Sequence, residues 1–323
     1  MGPGQRRGYV HAAGYGMPGV VPVAAEPSYL RLLRSGELAR RVRAGYERLA
    51  ACDLCPRACG VNRREGAGGT CRTGERARVA SYHPHFGEEA PLVGFSGSGT
   101  IFFAWCNLRC VYCQNYEISQ LGEGQEVEPE ELATMMLHLQ ALGCHNINLV
   151  SPTHVVPQIL AGVLIAAQAG LRLPLVYNTG GYDALSTLAL LDGVVDIYMP
   201  DMKYADDETG RRLSHAPGYP DANRAAVAEM HRQVGDLELD ERGIAVRGLL
   251  VRHLVLPHSL AGTAETLRWL AQEVSRDTYV NVMGQYRPCH RAHEFADLAR
   301  PISRAEYSEA VKAAREAGLR RLD

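Results

Sequence analysis

An α/β fold built around a mostly parallel sheet is predicted by three features of this sequence. From Gly97 onward, short apolar runs alternate with longer segments of helical pattern. The helical segments carry proline near their starts and glycine at their ends. Nearly every apolar run is followed at once by polar residues or glycine, as expected where strand ends form a ligand-facing rim.

Residues 1–28 are rich in Gly and Pro and read as a flexible tail. A helix is expected from about Tyr29 to Ala51, with Leu30, Leu33, Leu38, Val42 and Leu49 on a ragged apolar face. The segment from Cys52 to Cys71 is too short for its own core and needs a staple. "GTIFFAWC" is the first strand of the α/β array and "PEELATMMLHLQALG" its first helix. "NINLV" and "HVVPQILAGVLIAAQAG" form the second pair, "LPLVYN" and "DALSTLALLDG" the third. "VVDIYMPDMKY" carries strand four, followed by the helix "DANRAAVAEMHRQVG". "GLLVRHLVLP" and "AETLRWLAQEV" form the fifth pair, and "TYVNVM" is strand six. "SRAEYSEAVKAAREAGL" closes the chain as a helix. Such alternation means βα units and a sheet buried on both faces. About six units fall short of the eight of a closed TIM barrel. Periodicity leaves an open six-stranded barrel and a doubly wound sheet both standing. The chain is divided here into a tail (1–28), a helix with a cysteine-rich metal-binding segment (29–96), a core of six βα units (97–290) and a C-terminal helical extension (291–323).

Formal net charge over the 323 residues is −2, so no global basic field points to nucleic acid or an anionic membrane. No apolar run reaches the ~18–20 residues of a membrane helix. Gly and Pro interrupt "GMPGVVPVAA", which therefore lacks the h-region of a signal peptide. A cytoplasmic location follows as an expectation, and clustered cysteines in a reducing compartment point to metal rather than disulfides.

Cys106, Cys110 and Cys113 lie in "CNLRCVYCQNY", directly after strand one. A zinc site or an ordinary cluster takes four protein ligands. Three thiolates in one short loop can hold three corners of a cubane and leave the fourth iron open to substrate. A zinc site completed by a distant histidine and incidental core cysteines are the competing readings. Cys52, Cys55, Cys59 and Cys71 form a second group, C-x2-C-x3-C-x11-C, with a glycine-rich return. Zinc and a second iron–sulfur cluster both suit four such thiols. Cys144 reads as core filling and Cys289 as a loop cysteine.

The C-x3-C-x2-C spacing with Tyr112 before the last cysteine resembles the radical S-adenosylmethionine (SAM) superfamily. "CNLRCVYCQN", "PDMKY" and "VRHLVLP" look most like the relatives of pyruvate formate-lyase-activating enzyme, over approximately Cys52 to Pro288. The resemblance implies a partial (β/α)6 TIM-like barrel with the cysteine-rich segment as an N-terminal extension. It implies a [4Fe–4S] cluster on Cys106, Cys110 and Cys113 that binds SAM and cleaves it reductively. Methionine and a hydrogen-abstracting 5′-deoxyadenosyl radical result. It implies an electron donor of flavodoxin or ferredoxin type, and as target either a glycyl radical enzyme or a small molecule or peptide. A non-catalytic iron–sulfur or zinc protein is the alternative of a different class. Asp201, Lys203, Arg252 and Asn178 fall where SAM contacts are expected. Arg252, in an apolar strand, should face the barrel interior and a partner. His154 and His253 read as substrate groups or as structural histidines. Many relatives carry Gly-Gly-Glu after strand two, where this chain has Ser151-Pro152-Thr153-His154. The hydroxyls of Ser151 and Thr153, or carbonyls fixed by Pro152, are expected to receive the SAM amino group there.

Overall fold

The computed structural model describes residues 26–66 and 68–323. The expected tail falls almost wholly outside them. Two helices open the described chain, α1 (Tyr29–Arg34) and α2 (Glu37–Glu47), with a 3-10 turn at Arg48–Ala51. The single helix expected here is broken at Gly36, whose φ of 74° is left-handed. Then come β1 (Ala77–His85), α3 (Ala90–Val93), β2 (Ser98–Phe103), α4 (Tyr116–Ser119), β3 (Gln125–Val127), α5 (Pro129–Ala141), β4 (Ile147–Val150) and α6 (Val156–Gln168). The chain continues through β5 (Leu175–Thr179), α7 (Leu185–Leu191), β6 (Ile197–Pro200), α8 (Asp207–Ser214), α9 (Tyr219–Val234), β7 (Glu238–Leu239) and β8 (Ala245–Leu254). It ends with α10 (Thr263–Trp269), β9 (Tyr279–Met283), α11 (Arg304–Glu316) and β10 (Arg321–Leu322).

The strands form one sheet in the order β10-β9-β8-β6-β5-β4-β2-β1-β3, with β7 on β8. All six strands expected from the pattern, now β2, β4, β5, β6, β8 and β9, are present and pair in parallel. The first and last of them are not paired to each other, so the barrel is open. Antiparallel β1 and β3 extend the β2 edge. Neither stood out in the sequence, because β1 (ARVASYHPH) is interrupted by proline and half exposed.

Period-two alternation decides what faces inward. Ile101, Leu149, Tyr177, Tyr198, Leu249 and Val280 point outward into a core shared with α5, α6, α9 and α10. The opposite parity gives Val176, Ile197, Met199 and Leu250 with Leu92 of α3, a second apolar cluster that fills the lower barrel. Two residues further along the same strands stand Asn178, Asp201 and Arg252. The barrel interior therefore turns from apolar to polar towards the strand C-termini. α1 and α2 pack over α6, which is consequently buried on nearly every face. Gly45 lets α2 approach Pro157, with 3.4 Å left to an added Cβ. Capping boxes start α5 (Glu128 with Glu131) and α11 (Ser303 with Glu306). Among the described residues no helix is long and apolar enough to cross a membrane.

Candidate functional site

The loop leaving β2 carries Cys106, Cys110 and Cys113 at the strand C-terminal end of the barrel. Each sulfur has a polar neighbour. The Leu108 N–H donates to Cys106 Sγ at 3.3 Å, Ser214 Oγ lies 2.9 Å from Cys110 Sγ, and Ser119 Oγ lies 3.1 Å from Cys113 Sγ. Behind the loop a layer of buried side chains, with Tyr112, Tyr182, Tyr204, Tyr219 and Tyr286, closes off water. Tyr112 and Tyr204 share a 2.6 Å hydrogen bond, and Tyr204 lies 2.6 Å from Ser214 Oγ. Burial raises Cys106 to about 12 and raises Cys110 too, so both are thiols without a metal. Lys203 lies near enough to pull both downward. This donor set fits a thiolate-bound cluster: three sulfurs in one loop, hydrogen-bond donors for each, and a cation beside them. No three His, Cys, Asp or Glu among the described residues converge as a single metal ion requires.

Asp201, Lys203, Arg252 and Asn178 meet just below this loop. Lys203 Nζ donates to Asp201 Oδ2 at 2.6 Å. Arg252 donates to Asp201 Oδ1 at 3.2 Å, to Glu88 Oε2 at 3.2 Å and to Asn178 Oδ1 at 2.6 Å. Burial favours the neutral form of Asp201, but Lys203 and Arg252 outweigh it and hold its carboxyl below the ordinary range. Burial opposes the charge of Lys203 too, and Asp201 raises its pKa overall. Glu88 is raised, because burial dominates over Arg252. The expected inward partner of Arg252 is thus found in Asp201 and in Glu88, which the sequence reading did not single out.

The loop after β4 divides. Ser151 stays at the rim with φ 58°, its N–H donating to the Asn178 carbonyl at 2.9 Å. Left-handed backbone at a non-glycine residue is strained, and such residues concentrate at functional sites. Thr153 is buried, and its hydroxyl donates to Asp183 Oδ1 at 2.8 Å beside Thr179. Tyr177 and Thr179 donate to the same carboxylate, which burial raises above its ordinary value. Thr153 therefore bonds the buried Asp183 network and not Asp201 or Lys203.

The two histidines differ in how their ring nitrogens are satisfied. His253 is fully buried, with Nδ1 donating to Met202 O and Nε2 accepting from Thr263 Oγ1. His154 donates from Nε2 to Ala104 O at 3.0 Å. Burial, then Arg63, lowers it to about 4, so it is neutral. Cys144 fills the outer core.

Other site residues carried weak sequence signals. Tyr219 and Asn223 of α9 reach back to the rim. The Tyr219 hydroxyl lies 2.9 Å from Gly180 O and 3.1 Å from Asp201 O. Asn223 donates to the carbonyls of Gly181 and Asp201, both at 2.9 Å. Gly181 has φ +75°, and an added Cβ would fall 2.1 Å from Asp201 O, so only glycine fits. The "GG" after strand three was the legible trace of this contact.

Cys52, Cys55, Cys59 and Cys71 border one small enclosed cavity with Leu54, Val61 and His154. Burial raises Cys55 to about 12. None of the nine cysteines is in a disulfide. The Gly68-Gly69 return presses on Cys59: a Cβ on Gly69 would lie 2.9 Å from its sulfur. Between the two cysteine groups opens a cleft of about 770 Å³ lined by Arg57, Arg72, Arg109 and Arg291 with His215 and His290. Arg291 pairs with Glu294. Arg57, Arg72 and Arg109 have no carboxylate partner among the described residues. Burial and then Arg72 lower the pKa of Arg109.

Comparison with known proteins adds lineage. Residues 100–240 match the family described as the radical SAM superfamily. The uncharacterized protein MJ0674 of Methanocaldococcus jannaschii is 32% identical over 277 residues, covering 83% of this chain and 75% of that protein. MJ0808 of the same organism is 29% identical over 119 residues, which cover 30% of this chain and 35% of MJ0808. A radical SAM methyltransferase from Sphaerobacter thermophilus aligns with a TM-score of 0.44 at 15% identity, covering 69% of this chain and 65% of the other.

Proposed function

The chain belongs to the radical SAM superfamily, and from that premise we propose that it uses SAM as a radical source for hydrogen abstraction. The observation that carries the proposal is the meeting of three cysteines with the Asp201–Lys203–Arg252–Asn178 group at one barrel mouth. Cys106, Cys110 and Cys113 would hold a [4Fe–4S] cluster. When bound, that cluster supplies the electron that splits SAM into methionine and a 5′-deoxyadenosyl radical. The chain's own residues bind, orient and shield. Lys203 offers a cation to the methionine carboxylate, and Asp201 keeps Lys203 and Arg252 in place. Asn178 and Ser151 add hydrogen bonds at the rim, and the tyrosine layer excludes water from the loop.

The partners follow from the chemistry. A one-electron donor of flavodoxin or ferredoxin type is required. The cleft at Arg57, Arg72 and Arg109 supports it, because three guanidinium groups without a carboxylate partner among the described residues favour an acidic protein. The cytoplasm is the proposed location. As hydrogen donor, a glycine of a partner glycyl radical enzyme would follow from the likeness to activating enzymes. A second reading, direct action on a small molecule or peptide, is favoured by the barrel interior. Glu89 Oε2 and both amide atoms of Asn148 are buried there without a partner, as groups awaiting a polar ligand would be. Cys52, Cys55, Cys59 and Cys71 complete the proposal as a second metal site, of zinc or iron–sulfur.

Anaerobic reconstitution with iron and sulfide, followed by dithionite and SAM, tests the central claim. Release of 5′-deoxyadenosine by wild type and its absence from Cys106→Ala, Cys110→Ala and Cys113→Ala proteins is the expected result. Undiminished release from any of the three would exclude the assignment.

A further inference from the structure

Arg63 is the most deeply buried charged side chain of the N-terminal segment, at 1% exposure. Nε and one terminal nitrogen donate to Gly74 O at 3.0 and 2.9 Å. The other terminal nitrogen donates to His154 O at 2.8 Å and lies 3.8 Å from Cys52 Sγ. No Asp or Glu pairs with it among the described residues. A guanidinium cannot shed its proton, and a buried charge without a counter-charge is strongly unfavourable. Carbonyl groups satisfy its donors but do not neutralise it. The nearby groups able to become anionic are the four thiols around the adjoining cavity.

A further observation concerns the lining of that cavity. His154 borders it with Nδ1 buried and unpartnered. Because Nε2 donates to Ala104, Nδ1 carries a free lone pair.

The segment is also joined to the loop of Cys106. Arg57, two residues from both Cys55 and Cys59, donates to the carbonyl of Asn107 at 2.6 Å. Arg109 reaches the carbonyl of Thr70, next to Cys71, at 3.4 Å. This double connection sets the segment against the loop of Cys106, where a redox-active centre, unlike zinc, could exchange an electron with the inner group.

We infer that Cys52, Cys55, Cys59 and Cys71 hold an iron–sulfur cluster rather than zinc, with Arg63 as its buried counter-charge. The inference rests on reading these four residues as a metal site, but not on SAM cleavage at the other group. Held there, such a cluster would supply a one-electron relay: it would take one electron from an external one-electron carrier, which would be oxidised, and give it up to a centre held by Cys106, Cys110 and Cys113, itself returning to its starting state.

The test uses the full chain reconstituted with ferrous iron and sulfide in the presence of equimolar zinc. In the Cys106→Ala/Cys110→Ala/Cys113→Ala protein, about four iron and four sulfide per chain should remain, against about eight of each in wild type. Adding Cys55→Ala and Cys59→Ala should remove the rest. Arg63→Met in the triple variant should lose most of its iron, whereas Arg63→Lys should retain it. A folded triple variant that holds zinc and no iron, or no metal at all, overturns the inference. Full iron in a folded Arg63→Met protein overturns the role of Arg63, and should that variant fail to fold, the triple-variant metal content still decides the cluster. Should wild type release no 5′-deoxyadenosine while the triple variant keeps its iron, the SAM reading fails and this inference stands.

Discussion

At Cys106, Cys110 and Cys113 the sulfurs face hydrogen-bond donors and a polar barrel mouth. Cys52, Cys55, Cys59 and Cys71 border one small cavity, with the buried Arg63 3.8 Å from the Cys52 sulfur. One backbone carbonyl, that of Asn107, joins the two regions through Arg57. The first group sits on the loop leaving β2 at the strand C-terminal end of the barrel, while the second borders a small cavity of its own. The two groups therefore differ in their surroundings: three cysteines beside a polar rim in one case, four beside a glycine-rich return in the other.

Breaking the first group should have the largest effect. Cys110→Ala removes a cluster ligand, so 5′-deoxyadenosine release should fall below detection. Its circular dichroism should remain that of wild type, since the outer core of the barrel does not include this loop.

Next in size is Asp201→Asn, which leaves Lys203 and Arg252 buried with less compensation. Removing one partner of a buried pair costs roughly 3–5 kcal/mol, readable as a lower urea midpoint. The pH dependence has a definite sign. The folded pKa of Asp201 is depressed, so its contribution is complete above the ordinary carboxylate range and is lost as pH falls through the folded value. That of Lys203 is raised, so its contribution is complete below the ordinary lysine range and is lost as pH rises through the folded value. Urea midpoints of wild type should thus fall at both extremes, and Asp201→Asn should show a flatter acid limb. An unchanged acid limb would remove Asp201 from the network.

Thr153→Ala and Ser151→Ala sharpen the contrast within a single loop. Thr153→Ala takes one donor from the buried Asp183 and should lower stability by about 1–3 kcal/mol, with SAM affinity kept. Ser151→Ala should do the reverse: little change in stability and SAM binding weaker by about 2–13-fold, the worth of a neutral hydrogen bond of roughly 0.5–1.5 kcal/mol. Calorimetric SAM binding to both reconstituted variants decides, and weakening by Thr153→Ala alone would reverse the assignment.

The smallest effect is expected of Tyr112→Phe. It removes the hydroxyl that bonds Tyr204 and leaves the ring in the layer behind the loop. A loss of about 0.5–1.5 kcal/mol in stability is anticipated. A larger loss of iron than of stability would show that the Tyr112–Tyr204–Ser214 chain holds Cys110 itself.

Much of this was legible in the residues. The six parallel strands could be read because strands buried on both faces are short, apolar and punctuated by glycine and proline. The three-cysteine loop and the Asp201–Lys203 pair could be read because local spacing encodes them. Strand β1 could not, because its partner β2 lies on the far side of a loop and its own pattern is broken. Glu88 could not, because its carboxylate acquires meaning only where Arg252 comes within 3.2 Å of it, 164 residues along the chain. Ser151 and Thr153 were indistinguishable as neighbouring hydroxyls. The tertiary structure parted them: Ser151 takes left-handed backbone at the strand end, and Thr153, two residues on, is buried with its hydroxyl in the Asp183 network. The amino-acid order determined which groups could bind metal and where strands would begin and end, because both depend on neighbours in sequence. Only the folded chain decided which charges would be left without counter-charges, as with Arg63, because neutralisation depends on distance in space and not along the chain.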